Sequence, residues 1–327
     1  MKDLSTNYLG LQLKNPLIIG SCGLTHDTKK IKEFEQHGAG AVVLKSLFEE
    51  QIAAQQAENL IGYTNDYPGA DDYIREYTRG TEVDDYLDLI EQTKRQVDIP
   101  VIASINCVEA SDWVSFAKSM ENSGADAIEI NVSLLPSDPR ITSNENEAIY
   151  TDILSAVSEN TSLPLALKMS PYSASLTGLV QKLSWKDSIS GFVLFNRYYT
   201  PDINIDTMTV TSATVFSTPA EHTTSLRWMA LLSGMIEKDL AASTGIHDSK
   251  ALIKQLLAGA TAVQVVSTVY KNGPKVLQDM ITGLENWMDE KSFNAVSDFR
   301  GKLNYQNIKN PAIYERMQFM KYFSGIS

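Results

Sequence analysis

Eight short apolar runs in this chain lead into polar residues: Ser21, Lys45, Asn106, Asn131, Lys168, Asn196, Ser243 and Ser267. One Lys or Asn at such a position means little, because either residue can simply open a loop. Two lysines and three asparagines in equivalent positions are hard to explain as core filling, since buried lysines are rare unless paired. Ammonium groups gathered at one point suit a planar, electron-accepting ring, because a cation stabilises the charge that builds there on reduction. Asn131 ends the run Ala127–Val132 inside DAIEINVSLLP (126–136). Taken alone, that stretch leaves two readings of Asn131 open, a loop opener or part of a site. No group of His, Asp and Glu gathers at these run ends, so no metal is expected. His37 reads as a helix-end residue; His26, His222 and His247 follow strands and leave two readings open, solvated residues, the preferred one, or residues that approach the mouth.

The runs have the form of buried strands. They are Pro16–Ile19, Ala41–Leu44, Pro100–Ile105, Ala127–Val132, Pro164–Leu167, Gly191–Phe195, Asp239–Ala242 and Ala262–Val266. Helical patterns separate them. One begins at Asp27 or Thr28 and carries Ile31 and Phe34. Another spans 109–122 with Trp113, Phe116, Ala117 and Met120 on one face. A third starts near Pro274 with Val276, Leu277, Met280, Ile281 and Leu284. GAGA (38–41), GADA (124–127) and GATA (259–262) introduce three strands, the glycine ending the preceding helix. Eight strand–helix repeats predict a parallel, closed (β/α)8 TIM barrel, one domain over 1–327. No GxGxxG follows the first strand, which argues against a dinucleotide fold. In a barrel the polar strand ends converge on one mouth.

Two loops on that face are long. Residues 46–83 include YTNDYPGADDYIREY, and 197–222 include DINIDTMTV, which suits a small hairpin. Both read as lids or walls. Residues 297–327 form a C-terminal extension with Tyr314, Phe319, Tyr322 and Phe323, expected to cover the barrel or to meet a second copy in a homodimer.

A net charge of −12 argues against nucleic acid or an anionic membrane as the main partner; a small-molecule substrate is expected. Cys22 and Cys107 cannot build a disulfide framework and read as small buried residues in a reducing compartment. The N-terminal segment has no signal-peptide core and no apolar run is long enough to span a bilayer, so a cytoplasmic location is expected.

STGIHD (243–248) is a tight glycine turn entering a helix, and VVSTVY (265–270) places hydroxyls after the last strand. Loops after the seventh and eighth strands are the usual phosphate site of this barrel. A phosphate there, with a planar ring among the cations, points to flavin mononucleotide (FMN).

The sequence resembles the dihydroorotate dehydrogenase family along nearly its whole length. LKNPLIIGSCG (13–23), VLKS (43–46), EINVS (129–133), LALKMSPY (165–172), the strand ending in Asn196 and STGI…LLAGATAVQVVSTVYKNGP (243–274) carry the resemblance, and SDFRGKL (297–303) resembles the family's C-terminal close. The resemblance implies an FMN-binding barrel that passes a hydride from a CH–CH group to flavin in pyrimidine biosynthesis. By position, Ser21 and Ser46 lie along the flavin and Lys45 near flavin and substrate. Asn106 joins the cofactor set, Lys168 faces the pyrimidine edge, and Asn131 and Asn196 reach both flavin and substrate. Gly245, Ile246, Val266 and Ser267 hold the phosphate.

The substrate half departs from the family. The family loop after the fourth strand reads NxSCPN or NxSSPN, where Cys or Ser removes the substrate proton. Here it reads Asn131-Val132-Ser133-Leu134-Leu135-Pro136-Ser137. The base position is Leu134 counted from Asn131 and Leu135 counted from Pro136, and neither accepts a proton. Ser133, Cys22, Cys107 and Tyr198 are the substitute candidates. The NxxGLxN loop after the second strand is replaced by a segment offering Asn65 and Gly69. The glycine pair after the sixth strand is replaced by FSTPAEH (216–222), with Ser217 and Thr218 along the flavin and Arg227 as a supplement to the phosphate site. The expected function is an FMN-dependent oxidoreductase that does not act on dihydroorotate. The alternative is an FMN-binding module without turnover.

Overall fold

A computed structural model describes residues 2–48, 70–107, 114–132 and 134–316. Eight parallel strands close into a barrel: β3 (Leu17–Ile19), β4 (Ala41–Val43), β6 (Val101–Cys107), β7 (Ala127–Val132), β8 (Leu165–Met169), β9 (Gly191–Leu194), β12 (Asp239–Ala242) and β13 (Ala262–Val265). Pairing of β4 with both β3 and β6 completes the circle. The predicted strands all form, within a residue or two of their expected ends.

Alternation along each strand sorts the core into two parts. Outward side chains such as Leu17, Ile19, Val42 and Ile128 pack under the helices. Inward ones build a lower layer of Ile18, Ala41, Val43, Ile102, Ala127, Ala166, Val193, Ala241 and Ala262. Alanine at five of these positions leaves room for a plug. Strands β1 (Thr6–Tyr8) and β2 (Leu11–Leu13) form an antiparallel hairpin that delivers Tyr8, Leu9 and Leu13 into that layer. Leu9 (φ 56) and Gly10 (φ 79) make its two-residue turn, the left-handed pair that a tight hairpin requires. This plug was not expected from sequence, because three-residue strands carry almost no periodicity.

The first helix, α1 (Thr28–Gln36), begins at Asp27, whose carboxylate accepts the Lys29 N–H. The loop expected over 46–83 is shorter than foreseen: Leu47–Phe48 form a short strand, β5, on the edge of β6, and α2 (Ala70–Gln96) begins at Ala70. The remaining helices are α3 (Val114–Asn122), α4 (Ser143–Ser158), α5 (Leu176–Ser184), α6 (His222–Leu232), α7 (Ser249–Ala258), α8 (Ser267–Asn272), α9 (Lys275–Glu290) and α10 (Ala312–Glu315). The hairpin foreseen in 197–222 is present as β10 (Pro201–Asn204) and β11 (Thr209–Ser212). Within the C-terminal extension Phe299 is fully buried against Trp287 and Phe293, while Phe319, Tyr322 and Phe323 lie outside the described residues. No helix among the described residues is long and apolar enough to cross a membrane.

Candidate functional site

The strand register sets Asn106, Asn131 and Lys168 side by side at one level of three neighbouring strands, β6, β7 and β8. All three are buried. Two residues below Asn131, and so on the same inward face, stands Glu129 at 1% exposure. The Lys168 ammonium meets Glu129 Oε1 at 3.1 Å and Gln264 Oε1 at 3.0 Å, and the Gln264 amide donates to Glu129 Oε2. A buried ion pair needs further hydrogen bonds to its partners, and Gln264 supplies one to each, accepting from Lys168 and donating to Glu129. Asn196 donates from Nδ2 to Asn131 Oδ1 at 3.0 Å.

Hydroxyls form a second group. Ser46 Oγ lies 3.0 Å from Ser21 Oγ and 2.7 Å from Ser104 Oγ, and the Ser46 N–H donates to Ser21 Oγ. Tyr86 accepts the Ser104 N–H and donates to the Ser104 carbonyl. Burial, only partly offset by the Ser104 N–H, pushes the Tyr86 phenol far above its usual range, so it stays a neutral donor.

The third group is built by the loops after β12 and β13. Gly245 has φ 78, and a Cβ there would overlap the backbone of His222 at the start of α6. Only glycine lets these two chain segments approach so closely. Ser217 ties the loops together: its N–H donates to Ser267 Oγ, its Oγ accepts from the Gly245 N–H at 3.4 Å and lies 3.0 Å from His247 Nε2, and its carbonyl accepts from Lys271. Burial, then the Lys271 charge, lowers the His247 imidazole below its usual value.

These groups surround a cleft at the barrel mouth, lined by Ser21, Lys168, Asn196, Ser217, Ser243, Gly245, Ile246, Val266 and Ser267 from the sequence-derived set. Thr244 and Gln264 also line it, as do Arg197, Val215 and Val265. Arg197 is held by Glu221 (2.9 Å), Thr214 and the Val215 carbonyl. Although burial opposes it, bonds from the Thr218 N–H and Arg197 keep the Glu221 carboxyl below its usual range. Sequence reasoning chose Arg227 as the extra cation, but Arg227 is exposed on α6 and Arg197 occupies the cleft wall. Thr218 is exposed and caps the short turn Pro219–Glu221, so it does not line the cleft. Lys45 is half-buried beyond β4, and Lys45, Ser46, Asn106 and Asn131 are not among the lining residues; Ser46 and Asn131 reach the cleft through Ser21 and Asn196. Gln264 and Glu129 were missed, although both sit two residues from a singled-out position on a strand.

Leu134 is partly buried against the core and Leu135 is 57% exposed. The Tyr198 hydroxyl donates to the Leu134 carbonyl at 2.9 Å, and its ring lies 5.6 Å from that of Tyr172. Burial raises both the Tyr198 phenol and the Cys22 thiol above their usual values, so neither is set to accept a proton at neutral pH. Ser133, the Cys107 side chain, Asn65 and Gly69 lie outside the described residues.

FMN fits this donor set. A buried ammonium with a third N–H unused by its two partners lies in the cleft floor. A glycine-dependent loop carrying hydroxyls and backbone N–H groups forms another wall, with Arg197 in the lining. One cation for a ring edge and a loop for a phosphate are the two anchors such a molecule needs. Among the described residues no group of three or more His, Cys, Asp or Glu is arranged for a metal ion.

A family model described as dihydroorotate dehydrogenase matches residues 3–288. The protein named dihydroorotate dehydrogenase B (NAD(+)), catalytic subunit, of Thermoplasma volcanium is 25% identical over 319 residues, which covers 92% of this chain and 98% of that one. Proteins of the same name from Alkaliphilus oremlandii and Pyrococcus furiosus are each 25% identical over 323 residues, covering 92% and 91% of this chain and 99% and 98% of theirs.

Proposed function

Because this chain belongs to the dihydroorotate dehydrogenase family, we propose that it is an FMN-dependent oxidoreductase whose small-molecule substrate is not dihydroorotate. Bound FMN would supply the hydride acceptor. Lys168 gives its free N–H to the pyrimidine edge of the ring, and Ser21, backed by Ser46, lies along it. Gly245, Ile246, Val266 and Ser267 hold the phosphate, with Ser217 fixing their loops and Arg197 adding charge. Asn131 and Asn196 act as one hydrogen-bonded unit toward ring and substrate, with Asn106 beside them and Lys45 at the substrate side.

The observation that carries the substrate statement is the apolar pair at the base position. Leu134 and Leu135 offer no proton acceptor, and the Leu134 carbonyl is taken by Tyr198. The same pair favours a second reading, in which the protein binds FMN without turnover. The two are separated by one experiment. The cofactor released on denaturation is identified by mass, and small-molecule donors are then screened anaerobically for bleaching of the flavin absorbance. Bleaching by a donor other than dihydroorotate supports the oxidoreductase; a flavin reduced by dithionite and by no donor supports the binding module. A protein that takes up no FMN overturns both.

A further inference from the structure

We infer that Glu129 and Gln264 are positioning residues that hold the Lys168 ammonium in the cleft floor and, through the Glu129 carboxylate, set how readily a flavin bound there is reduced. The inference rests on the FMN reading above. An ammonium has three N–H donors. Glu129 Oε1 and Gln264 Oε1 take two of them, at 3.1 and 3.0 Å, which leaves the third for the cleft that Lys168 lines. The Gln264 amide is fixed in orientation, because its oxygen accepts from Lys168 while its nitrogen donates to Glu129. Four torsions of a lysine side chain are thus reduced to one head-group position.

The charge matters as much as the position. A lone ammonium beneath a flavin would favour the reduced, more negative ring strongly. Here a carboxylate at 1% exposure sits directly behind it, where little water screens either charge. The pair presents a directed hydrogen bond with much of its positive field cancelled. Below Glu129 the lower layer is apolar, with Tyr8, Leu9, Leu13, Ile18, Ile102 and smaller residues, and among the described residues the ion pair of Glu129 is with Lys168. The Tyr8 hydroxyl is buried without a hydrogen-bond partner among the described residues, so it does not relieve Glu129.

Three variants test this in the full-length protein reconstituted with FMN: Glu129→Gln, Gln264→Glu and the double exchange. FMN affinity is measured by fluorescence quenching, the midpoint potential by spectroelectrochemistry and apoprotein stability by thermal unfolding. Glu129→Gln is isosteric and removes one negative charge. It should favour the reduced over the oxidised flavin by about tenfold, a rise of about 30 mV for two electrons. Gln264→Glu adds a carboxylate against Lys168 and should lower the potential. The double exchange restores one carboxylate and one amide around the ammonium and should return the potential toward that of the unmodified protein. A purely structural role predicts altered stability in all three with no change in potential. That result, or a shift in Glu129→Gln that the double exchange does not reverse, overturns the inference while leaving FMN binding intact. An unmodified protein that takes up no FMN overturns the inference together with the function it rests on.

Discussion

Replacing Gly245 by Ala separates backbone strain from collision at the proposed phosphate loop. At φ 78 an alanine costs about 1–2 kcal/mol by conformation alone. Its Cβ would also overlap the His222 nitrogen and lie 2.7 Å from the Glu221 carbonyl carbon and 2.9 Å from His222 Cα. These are backbone atoms, so no side-chain rotation relieves the contact and the start of α6 must move. Overpacking of this kind adds about 1–3 kcal/mol, for a total of about 2–5 kcal/mol. Gly10 supplies the control, because it has φ 79 with nothing within 4 Å of an added Cβ. Gly10→Ala should therefore lose only the conformational part, about 1–2 kcal/mol. Urea unfolding of both variants measures the difference. Since Ser217 bonds to Gly245, moving the loop should also weaken FMN at least tenfold in Gly245→Ala and leave it unchanged in Gly10→Ala, as read by fluorescence quenching. Equal stability losses in the two, or unchanged FMN affinity in Gly245→Ala, would refute the close-approach argument.

Further outcomes follow from the same geometry. Dihydroorotate should reduce the bound flavin slower than in a base-containing family member by at least the roughly 10²–10⁴ that a positioned base supplies. Leu134→Cys or Leu135→Cys alone should not restore it, and stopped-flow bleaching decides both points. Lys168→Ala leaves Glu129 buried without its cation and should cost about 3–5 kcal/mol in urea unfolding; Lys45→Ala should cost far less and weaken FMN less. His247 has an imidazole depressed in the folded state by burial and by Lys271. Between that depressed value and the unfolded value of about 6.5 the unfolded chain binds more protons. Its contribution to stability is therefore complete above the unfolded value and is lost as pH falls through it toward the folded one. His247→Gln should flatten the stability profile in that window, and a slope identical to that of the unmodified protein would count against it.

Strand positions were legible because each barrel strand is buried on both faces and reads as an unbroken apolar run, closed by a polar residue where the mouth begins. The run Ala127–Val132 forms as written. Its register against β6 and β8 makes Asn106, Asn131 and Lys168 neighbours, which the shared ending of three runs had implied. The N-terminal plug was not legible, because two three-residue strands become recognisable only through the barrel layer they fill. Nor was the start of α2: its first turns carry Asp, Tyr, Gly and Thr in no helical stripe, and the segment read as loop.

Within the site, the sequence by itself determined which residue types stand at the mouth, that glycine is needed at 245, and that the base position is apolar. Those are properties of single positions or of short windows along one strand. The tertiary structure alone decided which of them meet. Glu129 and Gln264 are separated by 135 residues, and Lys168 and Gln264 by 96, yet they close one buried triad. Arg197, not Arg227, enters the cleft wall, because Glu221, Thr214 and the Val215 carbonyl fix its guanidinium there. Barrel closure brings together side chains that no local pattern relates, and a charge buried on one strand finds its partner only once its neighbours' inward faces are set.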